Sequence, residues 1–441
     1  MSQNYENSPY PNNYPNSNRN DRNDRNERNS RNDRPEENDI PVDIEKINST
    51  NDEEANELIQ PVESFEDLNL DDKILRGIYG YGFENPSPIQ QRAIKPFLAG
   101  RDIIAQAQSG MGKTATFCLG VLGRLDPSKS ETQALVLAHT RELALQINMV
   151  FRAIGHYLDI HYNLSVKGVP IHENIESLNG KNRTPHIVIG TPGRILDMIH
   201  KGALQIGTLK MLVLDEADEM LSKGFLDQIY DIFKSLPSNI QVGLYSATMN
   251  EEFFKITNNF MRKPVNVLVK ADLLTLEGIK QYYINVEKND FKFETLCDIF
   301  SLLTVSQSMI YCNSKKVVDD LTYRLQEANF TVSYIHGAMT SNERELTMAA
   351  FRSGKTRVLV STDLLSRGID VQQVSVVINY DVPTRVDSYL HRIGRSGRFG
   401  RKGVAINFAT YYDIKKIKNI EQFYNTQIDI LPEDISGLLS F

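Results

Sequence analysis

Residues 101–122 read Arg101-Asp102-Ile103-Ile104-Ala105-Gln106-Ala107-Gln108-Ser109-Gly110-Met111-Gly112-Lys113-Thr114-Ala115-Thr116-Phe117-Cys118-Leu119-Gly120-Val121-Leu122, and their order decides the fold class. Arg101–Ala105 reads as a buried strand and Ala115–Leu122 as a helix, with a glycine-bearing loop between them. At a helix N-terminus the backbone N–H groups point at an anion, and the helix dipole favours it. Gly110 and Gly112 withdraw side chains where the backbone must approach oxygen atoms. Lys113 brings a point charge for outer phosphates, and Thr114 a hydroxyl for Mg²⁺. Ala107 stands where the strict pattern has glycine. Ala107, Gln108, Ser109, Gly110, Met111, Gly112, Lys113 and Thr114 are therefore the candidate phosphate loop.

About a hundred residues on, the apolar run Met211–Leu214 ends in Asp215-Glu216-Ala217-Asp218. A carboxylate at a strand's C-terminal end can hold Mg²⁺, directly or through water, and Asp215 is the candidate. Glu216 beside it is the candidate to orient and deprotonate an attacking water. The two motifs together imply hydrolysis of a nucleoside triphosphate.

Other short apolar runs, Ala134–Leu137 and His186–Ile189, alternate with helical stretches, and a second series follows at Ser308–Tyr311, Arg357–Val360 and Val374–Ile378. Near-continuous apolar strands separated by helices imply parallel sheets covered on both faces. Two α/β domains are expected, 64–270 and 279–441, joined by a short linker over 271–278. Residues 1–63 are expected to be a disordered tail, rich in Asn, Arg and Asp, with a triplet run from Arg19 to Arg28 and almost nothing apolar before Ile40.

Composition narrows the partners. Residues 1–60 carry 7 basic and 14 acidic residues, so residues 61–441 hold 42 of the 49 basic and 42 of the 56 acidic ones and are neutral overall. Charge-driven coating of nucleic acid is thereby excluded, and any such site must be local. No apolar run approaches membrane-spanning length, and the polar N-terminus does not read as a signal peptide. Cys118, Cys297 and Cys312 are scattered without metal or disulfide spacing, which fits a reducing, cytoplasmic compartment with nuclear entry left open.

Asp215-Glu216-Ala217-Asp218 spells the signature of the DEAD-box RNA helicases, and the other motifs that resemble this family follow in order from about Ser64 to the C-terminus. The resemblance implies two RecA-like domains. Within Gly82-Phe83-Glu84-Asn85-Pro86-Ser87-Pro88-Ile89-Gln90 it gives Gln90 the reading of the adenine edge, and it gives Phe65 the packing on the base. It makes Thr140, Arg141, Gly168, Thr191, Pro192, Gly193 and Arg194 the first domain's RNA contacts, and Ser246 and Thr248 the coupling of hydrolysis to RNA. In the second domain Thr362, Asp363, Arg367 and Gly368 inherit RNA contacts and Asp370 the ribose. His391, Arg395 and Arg398 inherit the arginine-finger motif, and Glu216, Asp215 and Lys113 complete the catalytic set, with Thr114 and Asp215 on the metal. His139, Lys167 and Ser366 depart from the family pattern beside these sites. Stretches such as Leu274–Lys280 and Asp215–Phe233 are similar to the initiation factor four-A branch, and Glu327–Ser333 to the exon-junction branch nearly as well.

The second half has no phosphate loop, so its arginines are expected to act across a cleft. ATP and RNA would then bind at the seam and favour one closed state, which makes them cooperative. The expected activity is RNA-stimulated ATP hydrolysis that locally opens short duplexes, in a monomer that binds single-stranded RNA and serves translation initiation with scaffold proteins. An ATP-dependent RNA clamp that serves as a platform for partners uses the same residues, and slow phosphate release would distinguish it.

Overall fold

The computed structural model describes residues 53–108, 110–180, 183–222, 224–268, 279–303, 307–363, 374–396, 403–435 and 438. Its first sheet is built from β1 (Ile103–Gln106), β2 (Ala134–Ala138), β3 (Tyr162–Ser165), β4 (Ile187–Gly190), β5 (Met211–Asp215), β6 (Gln241–Ser246) and β7 (Val265–Val267). The second is built from β8 (Ile279–Glu287), β9 (Ser308–Tyr311), β10 (Val332–Ile335), β11 (Val358–Ser361), β12 (Val376–Asn379), β13 (Gly403–Thr410) and β14 (Asp429–Ile430). All strand pairings described are parallel, in the orders β3-β4-β2-β5-β6-β1-β7 and β10-β11-β9-β12-β13-β8-β14. Ranked along the chain, the two orders are the same. The molecule therefore carries two copies of one RecA-like α/β layout.

Successive strand residues face opposite ways, and here both faces are apolar. Val136, Ile189 and Val213 enter one core cluster, and Leu135, Leu137, Val188, Leu212 and Leu214 the other, so helices cover both sides of the first sheet. The second sheet repeats this, with Met309, Leu359 and Val377 on one face and Ile310, Val360 and Ile378 on the other. The apolar runs read from the sequence are these central strands. The strand and helix expected around the glycine loop are β1 and the helix Lys113–Arg124.

One expectation is corrected. Residues 53–63, assigned to the tail, carry a helix, Glu53–Leu58. Ala55 is buried, Ile59 and Val62 pack on the first core, and the Val62 N–H donates to the Gln91 carbonyl at 3.1 Å. Ala55 on the helix, with Ile59 and Val62 in the turn and extended segment that follow it, gives this stretch three apolar anchors for a core face already present. The rest of the expected tail and the 271–278 linker lie outside the described residues. Among the described residues no helix is long and apolar enough to cross a membrane.

Candidate active site

Strand register gathers the chemistry. β5, β6 and β1 are adjacent, with Asp215 beside Tyr245 and Gln106 beside Ser246. The loop after β1, the acidic end of β5 and the Ser246-Ala247-Thr248 end of β6 therefore meet at one sheet edge, where open α/β sheets bind their ligands. The Ala107 N–H donates to the Ser246 carbonyl at 3.1 Å, and the Gln106 amide to the Ala247 carbonyl at 3.2 Å.

The loop turns on two glycines in the left-handed region, Gly110 at φ 90° and Gly112 at φ 96°. A Cβ on Gly112 would lie 2.7 Å from Gln90 Nε2 and 3.0 Å from Ser87 Oγ, so the loop is pressed against the Ser87–Gln90 segment. That segment is itself a capping box: Gln90 Oε1 accepts from the Ser87 N–H at 2.8 Å at the start of the helix Pro88–Leu98. The Ser87 hydroxyl donates to the Met111 carbonyl at 2.8 Å, and Gln90 Nε2 to the Gly112 carbonyl at 3.5 Å. Gln90 thus sits on the phosphate loop. Met111 is 42% exposed.

Phe65 is corrected. It is fully buried in the first core, its ring 6.4 Å from that of Phe83, and offers no open face to a base. Ser109 lies outside the described residues, while Gln108 is half-buried in the loop.

Lys113 opens the helix Lys113–Arg124 and is buried, its Nζ 2.8 Å from the Ala107 carbonyl and 3.9 Å from Glu216 Oε1. The Thr114 hydroxyl donates to Asp215 Oδ2 at 3.4 Å, and Asp215 Oδ1 accepts from the Glu216 N–H at 3.0 Å. Burial, then the charge of Glu216, pushes the Asp215 carboxyl up to about 7, and Lys113 opposes the shift. Glu216 itself stands at φ 53°, a left-handed conformation that is costly for a residue with a Cβ and that recurs at functional sites. A hydroxyl and a carboxylate are hard oxygen donors. Among the described residues no group of three or more His, Cys, Asp or Glu gathers as for a metal ion. This donor set suits Mg²⁺, which takes one or two protein oxygens together with substrate phosphates.

The second sheet meets this edge through Asp218. The Thr248 hydroxyl donates to Asp218 Oδ2, and His391 Nε2 stands 3.4 Å from the same oxygen. Ser246 Oγ holds the turn by donating to the Thr248 carbonyl at 2.7 Å, and Ala247 joins the second lobe's apolar cluster. His391 lies on the buried helix Val386–Ile393. Arg395 follows it, also buried, with Nε 3.2 Å from the His391 carbonyl. Arg398, Arg367, Gly368 and Asp370 lie outside the described residues.

The expected RNA residues of the first lobe form a bracketed loop. Thr140 caps the helix Arg141–Ile154, accepting from the Leu143 N–H at 3.3 Å, so the turn after His139 is closed. Arg141 donates to the Lys167 carbonyl at 3.3 Å and Arg194 to the Val169 carbonyl at 2.9 Å, on either side of exposed Gly168 at φ 97°. Thr191 and exposed Gly193 flank Pro192. Pro192 is corrected: it is buried at the first turn of the helix Pro192–His200, where its fixed φ starts the helix. Arg141 also pairs with Glu345 of the second lobe at 3.4 Å, and Glu142 with Arg344 at 3.0 Å. In the second lobe Thr362 is half-buried, and the Asp363 carboxylate, partly exposed, is gripped by Arg392 at 2.5 and 2.8 Å.

Sequence reading missed Asp218, the Glu142–Arg344 pair and Arg392. Asp218 stood in the quoted Asp215–Asp218 signature but drew no role of its own, and Arg392 left a signal as a charged residue inside Leu390-His391-Arg392-Ile393 on a helix otherwise fit for burial.

Residues 87–256 match the family described as DEAD/DEAH box helicase, and residues 291–400 match the helicase conserved C-terminal domain. The chain is 54% identical over 380 residues to the eukaryotic initiation factor 4A of Caenorhabditis elegans, spanning 86% of this chain and 94% of that protein. It is equally 54% identical to the ATP-dependent RNA helicase eIF4A of Chaetomium globosum, over 86% of this chain and 95% of that one. Among solved structures, Saccharomyces cerevisiae Dbp5 bound to RNA and ADP BeF3 superposes with a TM-score of 0.80 at 34% identity, over 86% of this chain and 98% of Dbp5. A single-residue variant of Dbp5 bound to Nup159, a Gle1 variant, IP6 and ADP gives 0.61 at the same identity, over 84% and 97%.

Proposed function

The chain belongs to the DEAD/DEAH box helicase family and is an ATP-dependent RNA helicase, and from this we propose that it uses RNA-stimulated ATP hydrolysis to open short RNA duplexes locally in translation initiation. The observation that carries the proposal is the convergence of the phosphate loop, Asp215-Glu216 and Ser246–Thr248 on adjacent strand ends, joined to the second lobe through Asp218 and His391.

In this reading the N–H groups of the loop and Lys113 hold the phosphates, and Gln90 carries the adenine contact into the loop it touches. Thr114 and Asp215 would hold Mg²⁺, which would supply neutralisation of phosphate charge. Glu216 takes a proton from water as the water oxygen bonds to the terminal phosphorus. The bond from that phosphorus to the bridging oxygen breaks, giving ADP and phosphate. Arg395, and Arg398 beyond the described residues, offset the charge that builds on the transferring group. RNA lies on the Thr140–Arg141, Gly168 and Thr191–Arg194 loops of one lobe and the Thr362 segment of the other. A clamp assembled from both lobes grips backbone phosphates and 2′-hydroxyls and so has little sequence preference. Initiation scaffold proteins and a cytoplasmic site of action belong to the same proposal, by relation to initiation factor 4A.

Steady-state ATP turnover with and without single-stranded RNA tests it, for the wild type and for Glu216→Gln. The expected result is strong RNA stimulation, lost by on the order of 10² or more in the variant. Unstimulated wild-type turnover would overturn the coupled mechanism, and processive opening of long duplexes would overturn local unwinding.

A further inference from the structure

Arg392 is fully buried, and all five of its guanidinium N–H groups are met. Nε and Nη2 grip Asp363 at 2.5 and 2.8 Å, and Nη2 also donates to Asn313 Oδ1 at 2.7 Å. Nη1 donates to Asn379 Oδ1 at 3.2 Å and to the Asp381 carbonyl at 2.7 Å. The ring centroid of Tyr311 lies 5.4 Å from the guanidinium carbon. These acceptors sit at the C-terminal ends of β9, β11 and β12, three neighbouring strands. Buried Lys292 donates to Asp381 Oδ1 at 2.7 Å, and the Asn313 N–H donates to Asp381 Oδ2 at 3.0 Å. Two buried cations thus face two carboxylates, and the cluster is neutral.

The cluster has one wet end. The Asp363 side chain is 39% exposed, against 20% for Asp381, and it adjoins Thr362 on the segment assigned to RNA. At its dry end Arg392 sits between His391, which faces Asp218 of the first lobe, and the turn bearing Arg395. A bidentate carboxylate–guanidinium pair fixes angle as well as distance. The helix Val386–Ile393 therefore cannot shift against the Ser361–Asp363 segment without breaking that pair.

We infer that Arg392 is a positioning residue: through Asp363 it ties the RNA-facing Ser361–Asp363 segment to the helix that places His391 and Arg395, so that RNA bound on one side sets hydrolysis on the other. The inference rests on the RNA-stimulated ATPase reading above. It assigns Arg392 no contact with ATP or RNA.

The test compares full-length wild type, Arg392→Lys and Asp363→Asn. Basal and RNA-stimulated ATP turnover, half-maximal RNA concentration, KM for ATP and melting temperature are measured for each. Lysine keeps the charge and loses the fork. Arg392→Lys is expected to lose at least tenfold in RNA-stimulated kcat, with basal turnover and KM for ATP within threefold of wild type. A purely structural role would lower basal and stimulated rates together with the melting temperature, and that outcome overturns the inference. So does stimulation within twofold of wild type. Should Arg392→Lys show no melting transition, Asp363→Asn decides at the exposed end of the pair: a tenfold loss of stimulation supports the inference, and full stimulation overturns it. Absence of RNA stimulation in the wild type is a separate result, which removes the underlying reading and the inference with it.

Discussion

Arg344→Ala breaks an Arg–Glu ion pair that crosses between the lobes, and its cost can be worked by comparison with the neighbouring Arg141–Glu345 pair. Arg344 Nη1 lies 3.0 Å from Glu142 Oε1, with the side chains only 17% and 13% exposed. Truncating one partner of a buried, hydrogen-bonded charge pair costs about 2–5 kcal/mol, because the remaining charge loses its counterpart. The pair uses one oxygen and one nitrogen. Glu142 Oε2 and Arg344 Nε are buried with no hydrogen-bond partner among the described residues, which places the cost near the lower end. About 2 kcal/mol is roughly a 30-fold change in an equilibrium. If hydrolysis needs the joined lobes, kcat/KM for ATP in saturating RNA falls by that factor. The neighbouring Arg141–Glu345 pair is the internal control: at 3.4 Å, with Glu345 61% exposed, it is worth less than about 1 kcal/mol, and Glu345→Gln should change the rate less than about fivefold. The assay is a double-mutant cycle on Glu142→Gln and Arg344→Ala, read both in RNA-stimulated turnover and in lobe-to-lobe energy transfer. A coupling of about 1.5–2 kcal/mol is expected. Additivity of the two singles within about 0.5 kcal/mol would refute the reasoning, since it would mean the two charges do not meet in the active molecule.

Gly112→Ala forces a Cβ to 2.7 Å from Gln90 at φ 96°. It is expected to cost about 1–3 kcal/mol of loop strain, and a fluorescent ATP analogue bound as tightly as by wild type would count against it. Gln90→Ala removes the acceptor of the Ser87 N–H and the contact to Gly112. A lost cap is worth about 1 kcal/mol, so a drop in melting temperature of a few degrees should accompany a weaker preference for adenine over guanine nucleotides, and retained base preference would sink the assignment. Gly77→Ala places a Cβ 1.8 Å from the Ile154 carbonyl oxygen, where no flexible side chain can yield. It should destabilise the first lobe by about 1–3 kcal/mol or more, and a melting curve like wild type's would refute the close packing. Burial holds the His186 pKa below the ordinary 6.5, and the neutral ring accepts the His161 N–H at 3.0 Å. The unfolded chain therefore takes up that proton first. The stabilisation is complete above 6.5 and is lost as pH falls below it. His186→Asn should flatten the fall in melting temperature between about pH 7 and 5, and an unchanged slope would show that other groups cause it.

What the sequence revealed follows burial. β2, β4, β5, β9 and β12 are covered on both faces, so nearly every residue in them is apolar or small, and they read as strands on sight. β3, β10 and β14 stand at sheet edges, half-covered or exposed, and mix polar residues that only their neighbours explain. The glycine-bearing loop and Asp215-Glu216 stand out as local runs of distinctive residues, but the contacts that join them, Thr114 to Asp215 and Lys113 to Glu216, are set by the fold. Phe65 and Pro192 were legible as positions, but their burial was not, since both sit on turns whose packing depends on other segments.

The residues whose partners lie on other segments or on the other lobe are different in kind. Asp218 gains its meaning from Thr248 and His391, Glu142 from Arg344, and Arg392 from acceptors spread over three strand ends. None of these partners is set by spacing along the chain; each is set by the strand order that the two sheets share. In the first copy that order brings a phosphate loop, a carboxylate pair and a coupling turn to adjacent strand ends. In the second the ends of β9, β11 and β12, the counterparts of β2, β4 and β5, carry Asn313, Asp363 and Asp381 around one arginine. The second copy thus uses the same C-terminal edge of its sheet, with a buried guanidinium organising the ends of three neighbouring strands. On the proposed mechanism hydrolysis depends on both lobes, and the coupling between RNA and ATP then rests on pairs that form only once the chain has folded.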